Sequence, residues 1–276
     1  MELINHPASE VIAKMVWSRS EVKCLELNFP TMRDNKLAGI INKSPNAIRI
    51  KASRLWIKKN TTYVRKNLKL TKTEEQLVVG GLLGDLSCRK TSTSKYPRLE
   101  GGHSQKQKNY LIWKTNLLKR LDCNIRKSKI NTYLYQSKSF KSLEKYYNFF
   151  YSTGTKTINR EILNLLDDFG LLIWYLDDGH YFKRDKNINL YTNGFSYKEQ
   201  LLIQTWFGEK YEFNPKIYET KDPKNYPEKS WFYLHFNVED SKKLISLFKK
   251  FEVPNCMKYK LGFQNSHSTI LDEVKN

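Results

Sequence analysis

One pattern constrains this chain more than any other: an apolar helix that ends in a carboxylate, and then the same arrangement again. EEQLVVGGLLGDLS occupies residues 74–87 and DFGLLIWYLDDG residues 168–179, so Asp85 and Asp178 stand 93 residues apart. Gly80 and Gly84 are spaced i, i+4 and share one helix face. Three glycines in an apolar helix cost roughly 1 kcal/mol each against alanine, and close backbone-to-backbone packing of two helices offsets that cost. Each copy is followed by strand-like segments and amphipathic helices, at about 107–121 and 142–151 in the first half and 196–207 and 239–251 in the second. A duplication of this period predicts two pseudo-symmetric lobes, each αββαββα, of the α+β class, meeting along the repeated helices. Their carboxylates then converge at one end, where Mg²⁺ is held through few protein ligands plus water and a substrate phosphate.

The charge supplies the partner. Forty-eight basic residues stand against 28 acids, a formal net charge of +20 over 276 residues, while 39% hydrophobic and 13% aromatic residues exclude a disordered polycation. Such a folded polycation calls for nucleic acid. The longest apolar runs are far short of a membrane span, and no basic amphipathic helix or lipidation signal suggests a membrane. The chain opens without a signal-peptide pattern, and Cys24, Cys88, Cys123 and Cys256 lie far apart with no C-x-x-C pair. An intracellular, reducing compartment is the expectation: cytoplasm, or an organelle if organelle-encoded.

Upstream of a polar, basic segment at 61–73, residues 1–60 carry a three-helix pattern. Ser18 caps a first helix with Val22, Leu25 and Leu27, and Pro30 ends it. A second helix runs from Asp34 through Ile41. Asn42–Pro45 gives a turn with a cap at Ser44, and a third helix sets Ala47, Ile48, Ala52 and Leu55 on one face with Arg49, Lys51 and Arg54 on the rest. That is the layout of a helix-turn-helix reader; a docking module with a solvated basic face is the alternative. The pattern W-S-x-x-E followed by LAGIINKSPNAIRIKASRLWIKK, within residues 16–59, resembles the Myb/SANT-like modules attached to some mobile-element nucleases. The domain boundaries expected are therefore 1–60 for this domain, 61–73 for a linker, 74–160 for the first lobe and 161–276 for the second.

The two apolar helices resemble the paired motifs of the LAGLIDADG homing endonucleases, in the subfamily whose second motif reads W-Y-[ML]-D-D-G. RLEGGHSQKQKNYLIWKTNLL, FFYSTGTKTIN, TNGFSYKEQLL and VPNCMKYKLGF extend the resemblance over about residues 71–263. It implies a single-chain, site-specific double-strand DNA endonuclease that hydrolyses phosphodiester bonds with Mg²⁺ (or Mn²⁺), with Asp85 and Asp178 as the metal-binding acids. Two departures stand out. Leu86 replaces the glycine usual after the first acid, and Ile173 and Trp174 occupy the positions of Gly80 and Gly81. The resemblance also implies a basic residue near the end of each half, matched by Lys156 and by Lys258 or Lys260, to stabilise charge at the attacked phosphate or help activate water; plain phosphate contact is the competing role. Gln105 and Gln107 are candidates for ordering water or reading a base edge.

For DNA contact the first half offers Arg89, Lys90, Lys95, Arg98, His103 and Gln105. The second offers Tyr181, Lys183, Arg184, Asn187, Asn189, Tyr191, Thr192 and Asn193. On a twisted sheet every second residue shares a face, and a basic, amide-rich face fits the major groove. His180, just past the second acid, reads as structural. The expected partner is double-stranded DNA bound by a monomer. Intron RNA is a second candidate, through a maturase on the same fold; a non-cutting DNA-binding regulator is the other rival. The ends of the chain suggest a free-standing or intron-encoded gene rather than an intein.

Overall fold

The computed structural model describes residues 17–60, 66–128, 130–222 and 225–263. Parts of the expected domains, 1–16, 61–65 and 264–276, lie outside the described residues. The chain divides into two compact units between Leu68 and Lys69, inside the segment expected to be the linker.

In the first unit, α1 (Arg19–Asn28) begins with a capping box between Ser18 and Glu21, α2 spans Asp34–Ile41, and α3 (Pro45–Arg54) starts with Ser44 accepting the Ala47 N–H. Asn42 takes the left-handed conformation that closes the turn between α2 and α3. Leu25, Phe29, Leu37, Ile41, Ile48 and Ala52 form the core. All three helices match the sequence reading, but Arg49 is not a free cation: its Nε lies 2.7 Å from Asp34 Oδ2.

The second unit contains two lobes built alike. In the first, α4 (Lys72–Leu83) leads to β1 (Ser87–Arg89) and β2 (Arg98–Ser104). Then come α5 (Lys108–Leu117), β3 (Asn124–Lys127), β4 (Thr132–Gln136) and α6 (Glu144–Tyr151). A short α7 (Arg160–Leu165), absent from the sequence reading, joins the lobes. The second lobe runs α8 (Asp168–Asp178), β5 (Gly179–Phe182), β6 (Asn187–Leu190), α9 (Tyr197–Tyr211), β7 (Lys216–Asp222), β8 (Tyr226–Phe236) and α10 (Val238–Phe248). The antiparallel sheets have the same order, β1-β2-β4-β3 and β5-β6-β8-β7, so the αββαββα duplication is present in space. In each lobe the two amphipathic helices cover one sheet face and leave the other open. Among the described residues no helix is long and apolar enough to cross a membrane.

The motif helices pack against each other at the centre, with Leu77, Val78, Val79 and Leu82 buried on one and Leu171 through Leu176 on the other. A Cβ on Gly80 would stand 2.1 Å from the Gly170 carbonyl oxygen, and one on Gly84 2.5 Å from Asp177 Cβ. The glycines therefore set how closely the helices approach. Gln76 pins the pair at the other end, donating to the Leu165 carbonyl and accepting from the Asp167 N–H.

Two expectations about the helix ends need correction. The first helix stops at Leu83 with Gly84 as its cap, so Asp85 stands in the turn beyond it, and Lys72 and Thr73 of the expected linker are already helical. Gly179, which caps α8, is extended. Glycine is required there because a Cβ would strike the Tyr175 ring at 2.1 Å.

Candidate active site

Both motif helices deliver their acids to the same place. Leu86, the departure from the usual glycine, folds back: its N–H donates to the Gly81 carbonyl at 2.7 Å, and its buried side chain covers Gly81. Asp85 is thereby turned outward, with 42% of its side-chain surface open. At the end of α8, Asp178 lies close enough to Asp85 and Asp177 for their charges to act on it.

Each helix end is closed by a lysine. Lys156 Nζ donates to the Gly84 and Leu86 carbonyls at 3.1 and 3.0 Å, and Lys260 Nζ to those of Leu176 and Asp177 at 2.7 and 3.0 Å. A cation at the negative end of a helix is favourable, and these two sit in matching positions on the two lobes. The sequence left Lys258 and Lys260 open; Lys260 is buried at the site, whereas Lys258 is exposed.

The structure adds four side chains that the sequence reading did not place here. The Asp177 side chain is fully buried and accepts from the Tyr110 hydroxyl at 2.8 Å and Lys114 Nζ at 2.9 Å, while its second oxygen accepts from the Asp85 N–H at 3.3 Å. Tyr110 and Lys114 are one turn apart on α5, so a lysine on the apolar face of QKNYLIWKTNLL was the available signal. His103 was expected on the DNA-reading face. Strand alternation instead puts it inward beside Leu99 and Gly101, 4% exposed, with Nδ1 3.6 Å from Asp85 Oδ2 and Nε2 3.9 Å from Asp177 Oδ1. Its Nε2 has no hydrogen-bond partner. Gln107, just before α5, lies against the same imidazole.

Three carboxylates and three ammonium groups thus crowd one partly dry pocket. Burial, and then the neighbouring carboxylates, push the Asp178 carboxyl up to about 8 and raise that of Asp85. Burial lowers the pKa of Lys156 and Lys260 against the pull of the acids. Burial and the Lys114 charge bring His103 down to about 4, so it is neutral at neutral pH. The oxygen-rich donor set fits a hard divalent cation, which relieves the repulsion between the acids. Among the described residues, Asp85, His103 and Asp177 form the one group of three His, Cys, Asp or Glu side chains close enough to share an ion.

The DNA-contact candidates divide. On the open face of the first sheet, Arg89 and Arg98 sit opposite each other, but Arg98 is tied to Glu100 at 2.7 Å. Arg126, Asn124 and Gln136 share that face by register and were missed. Gln105 is exposed in the turn after β2. Lys183 and Arg184 lie in the β5–β6 turn and Asn193 in the loop after β6, all exposed but not on the strands; Arg184 pairs with Asp185. Tyr181 faces inward with Ile188. Thr192 is buried and bonded to Gln200.

The sequence profile of the LAGLIDADG DNA endonuclease family matches residues 75–244. A probable intron-encoded DNA endonuclease 3 of Mycosarcoma maydis is 31% identical over 137 residues, 48% of this chain and 94% of that one. The cytochrome b mRNA maturase bI2 of Debaryomyces hansenii is 27% identical over 220 residues, 74% of this chain and 79% of that one. The homing endonuclease I-WcaI, solved bound to its DNA recognition sequence, superimposes with a TM-score of 0.61 at 22% identity, covering 71% of this chain and 89% of that one. With the duplicated lobes, the glycine-packed helix pair and the converging acids, the profile match places this chain in the LAGLIDADG DNA endonuclease family.

Proposed function

We propose that this protein is a site-specific double-strand DNA endonuclease in which Asp85 and Asp178 hold divalent metal, Mg²⁺ or Mn²⁺, and each acid serves mainly one strand. The observation that carries the reading is the convergence of these acids, with Lys156 and Lys260, at one end of the helix pair. Metal bound there supplies Lewis-acid stabilisation of the scissile phosphate and a more acidic water. Lys156 and Lys260, fixed by the helix-end carbonyls, place positive charge beside the attacked phosphate. Lys114 and Tyr110 hold Asp177 still, which keeps the adjacent Asp178 in place. Gln107 orders water next to His103. The open sheet faces lie along the duplex, with Arg89, Arg98, Arg126 and Gln136 from one lobe and Asn189, Tyr191 and His235 from the other; Gln105, Lys183, Arg184 and Asn193 contact its borders. In the first unit, Lys51 and Arg54 on α3 add phosphate contacts, and Arg49 joins them when released from Asp34. The enzyme works as a monomer, since one chain already contains both lobes.

With Mg²⁺, purified protein should cut duplex DNA carrying the uninterrupted insertion site on both strands, and absence of cutting on every such duplex would remove the reading. The likeness to an mRNA maturase over 74% of the chain favours one second reading, an RNA-splicing role. Preference for the folded intron RNA over any duplex in competition would select it.

A further inference from the structure

We propose that His103 is a metal ligand, so that the ion at Asp85 is held by one nitrogen and one oxygen from the protein while the ion at Asp178 has oxygen ligands alone. The inference rests on the reading of Asp85 as a metal-binding acid. Divalent cations of this size hold nitrogen and oxygen ligands at about 2.1 Å, which sets neighbouring ligand atoms about 3.0–3.6 Å apart. The His103 Nδ1 to Asp85 Oδ2 distance of 3.6 Å lies at the upper edge of that range and is too long for a hydrogen bond. With the ring proton on Nε2, the Nδ1 lone pair faces the Asp85 carboxylate, a contact that is repulsive unless a cation stands between them.

The rest of the ring fits the same role. A metal-binding histidine ordinarily turns its other nitrogen toward a carboxylate, which fixes the tautomer. Here Nε2 is buried, without a hydrogen-bond partner, and 3.9 Å from Asp177 Oδ1, whose negative charge favours the ring proton on that nitrogen. Asp177 is itself engaged by Lys114 and Tyr110, which leaves the ion to Asp85, His103, water and DNA phosphate. Among the described residues the second lobe shows no counterpart: His180, two residues beyond Asp178, is exposed and packs edge-on against Phe182. An imidazole ligand favours Mn²⁺ and later first-row ions relative to Mg²⁺.

The test is pulsed electron paramagnetic resonance of substoichiometric Mn²⁺ added to the full-length protein. Wild type should show ¹⁴N modulation, the modulation should disappear in His103→Gln, and Mn²⁺ affinity should fall roughly tenfold or more. Labelling wild type with ¹⁵N-histidine should replace the ¹⁴N signal by a ¹⁵N one, which needs no variant to fold. Mn²⁺ that binds, is lost in Asp85→Asn, and shows no histidine nitrogen would overturn the inference while leaving the acid site standing. Absence of Mn²⁺ binding to wild type would overturn both.

Discussion

The two lobes share one topology and use it differently. On the open face of the first sheet, Glu100 ties Arg98 and Gln136 together at 2.7 and 2.8 Å, with Arg89 and Arg126 exposed on the same side. The second sheet presents rings instead: Tyr218 stacks on Tyr233, Tyr191 leans on Tyr233, and His235 bonds Asn189 at 2.8 Å. The helices behind the sheets diverge as well. On α5, Tyr110 and Lys114 reach across to Asp177 of the other lobe, whereas Gln200 on α9 is buried and satisfies Thr192 and the Phe195 carbonyl within its own lobe. Duplication supplied the scaffold; divergence left the first lobe supporting the acid end of the second. A single chain with unequal faces suits a target whose half-sites differ.

Replacing Lys114 tests that dependence most severely. Lys114→Met should destabilise the protein by about 3–5 kcal/mol, because Asp177 stays buried without its cation. Adding Asp177→Asn should restore a large part of the loss in denaturant titrations; full additivity would show that the pair does not couple the lobes. Gly80→Ala should cost about 3 kcal/mol, since the new Cβ meets a backbone carbonyl rather than a movable side chain. Gln200→Ala, confined to its own lobe, should cost about 1–3 kcal/mol and leave cleavage by the remaining folded protein unchanged, unlike Lys114→Met.

The acids themselves should titrate unequally. Asp178, raised to about 8, keeps its proton in the folded protein after the unfolded chain has lost it. Its contribution to stability is therefore complete below the unfolded carboxyl range and is lost as pH rises through about 8. Without metal, the wild-type melting temperature relative to Asp178→Asn should fall between about pH 5 and pH 9, and Asp85→Asn should show the same sign. Divalent metal should reverse the trend by binding the ionised carboxylates. The smallest effect belongs to the sheet faces. Substituting Arg126 should relax discrimination at one half-site by roughly 1–3 kcal/mol, and Tyr218→Ala should alter only the other half-site.

Much of this organisation is legible in the sequence because it rests on local rules. Ser18 and Ser44 mark helix starts by side-chain capping, and Gly80 and Gly84 mark a close approach by their spacing. The paired motifs led to Asp85 and Asp178 directly. What escaped depends on contacts between residues distant in the chain. Strand register decides that His103 faces inward, and no composition rule fixes register. Asp177 looks like the redundant partner of Asp178 until Lys114, 63 residues earlier, is seen against it. Lys258 and Lys260 are separated only by which face of the turn at Asn255–Leu261 meets the helix end. Arg98 and Arg49 look like free cations in sequence, and only the fold brings Glu100 and Asp34 against them.

In the proposed reading, one acid from each lobe builds a shared metal-dependent cleavage site. The most direct test of that reading is strand-resolved cleavage of the cognate duplex with Mg²⁺ by wild type, Asp85→Asn and Asp178→Asn, with binding measured in parallel on the same duplex. Wild type should cut both strands, and each variant should lose double-strand cleavage while binding the site nearly as well as wild type. Wild-type cutting of both strands by either variant would contradict that reading.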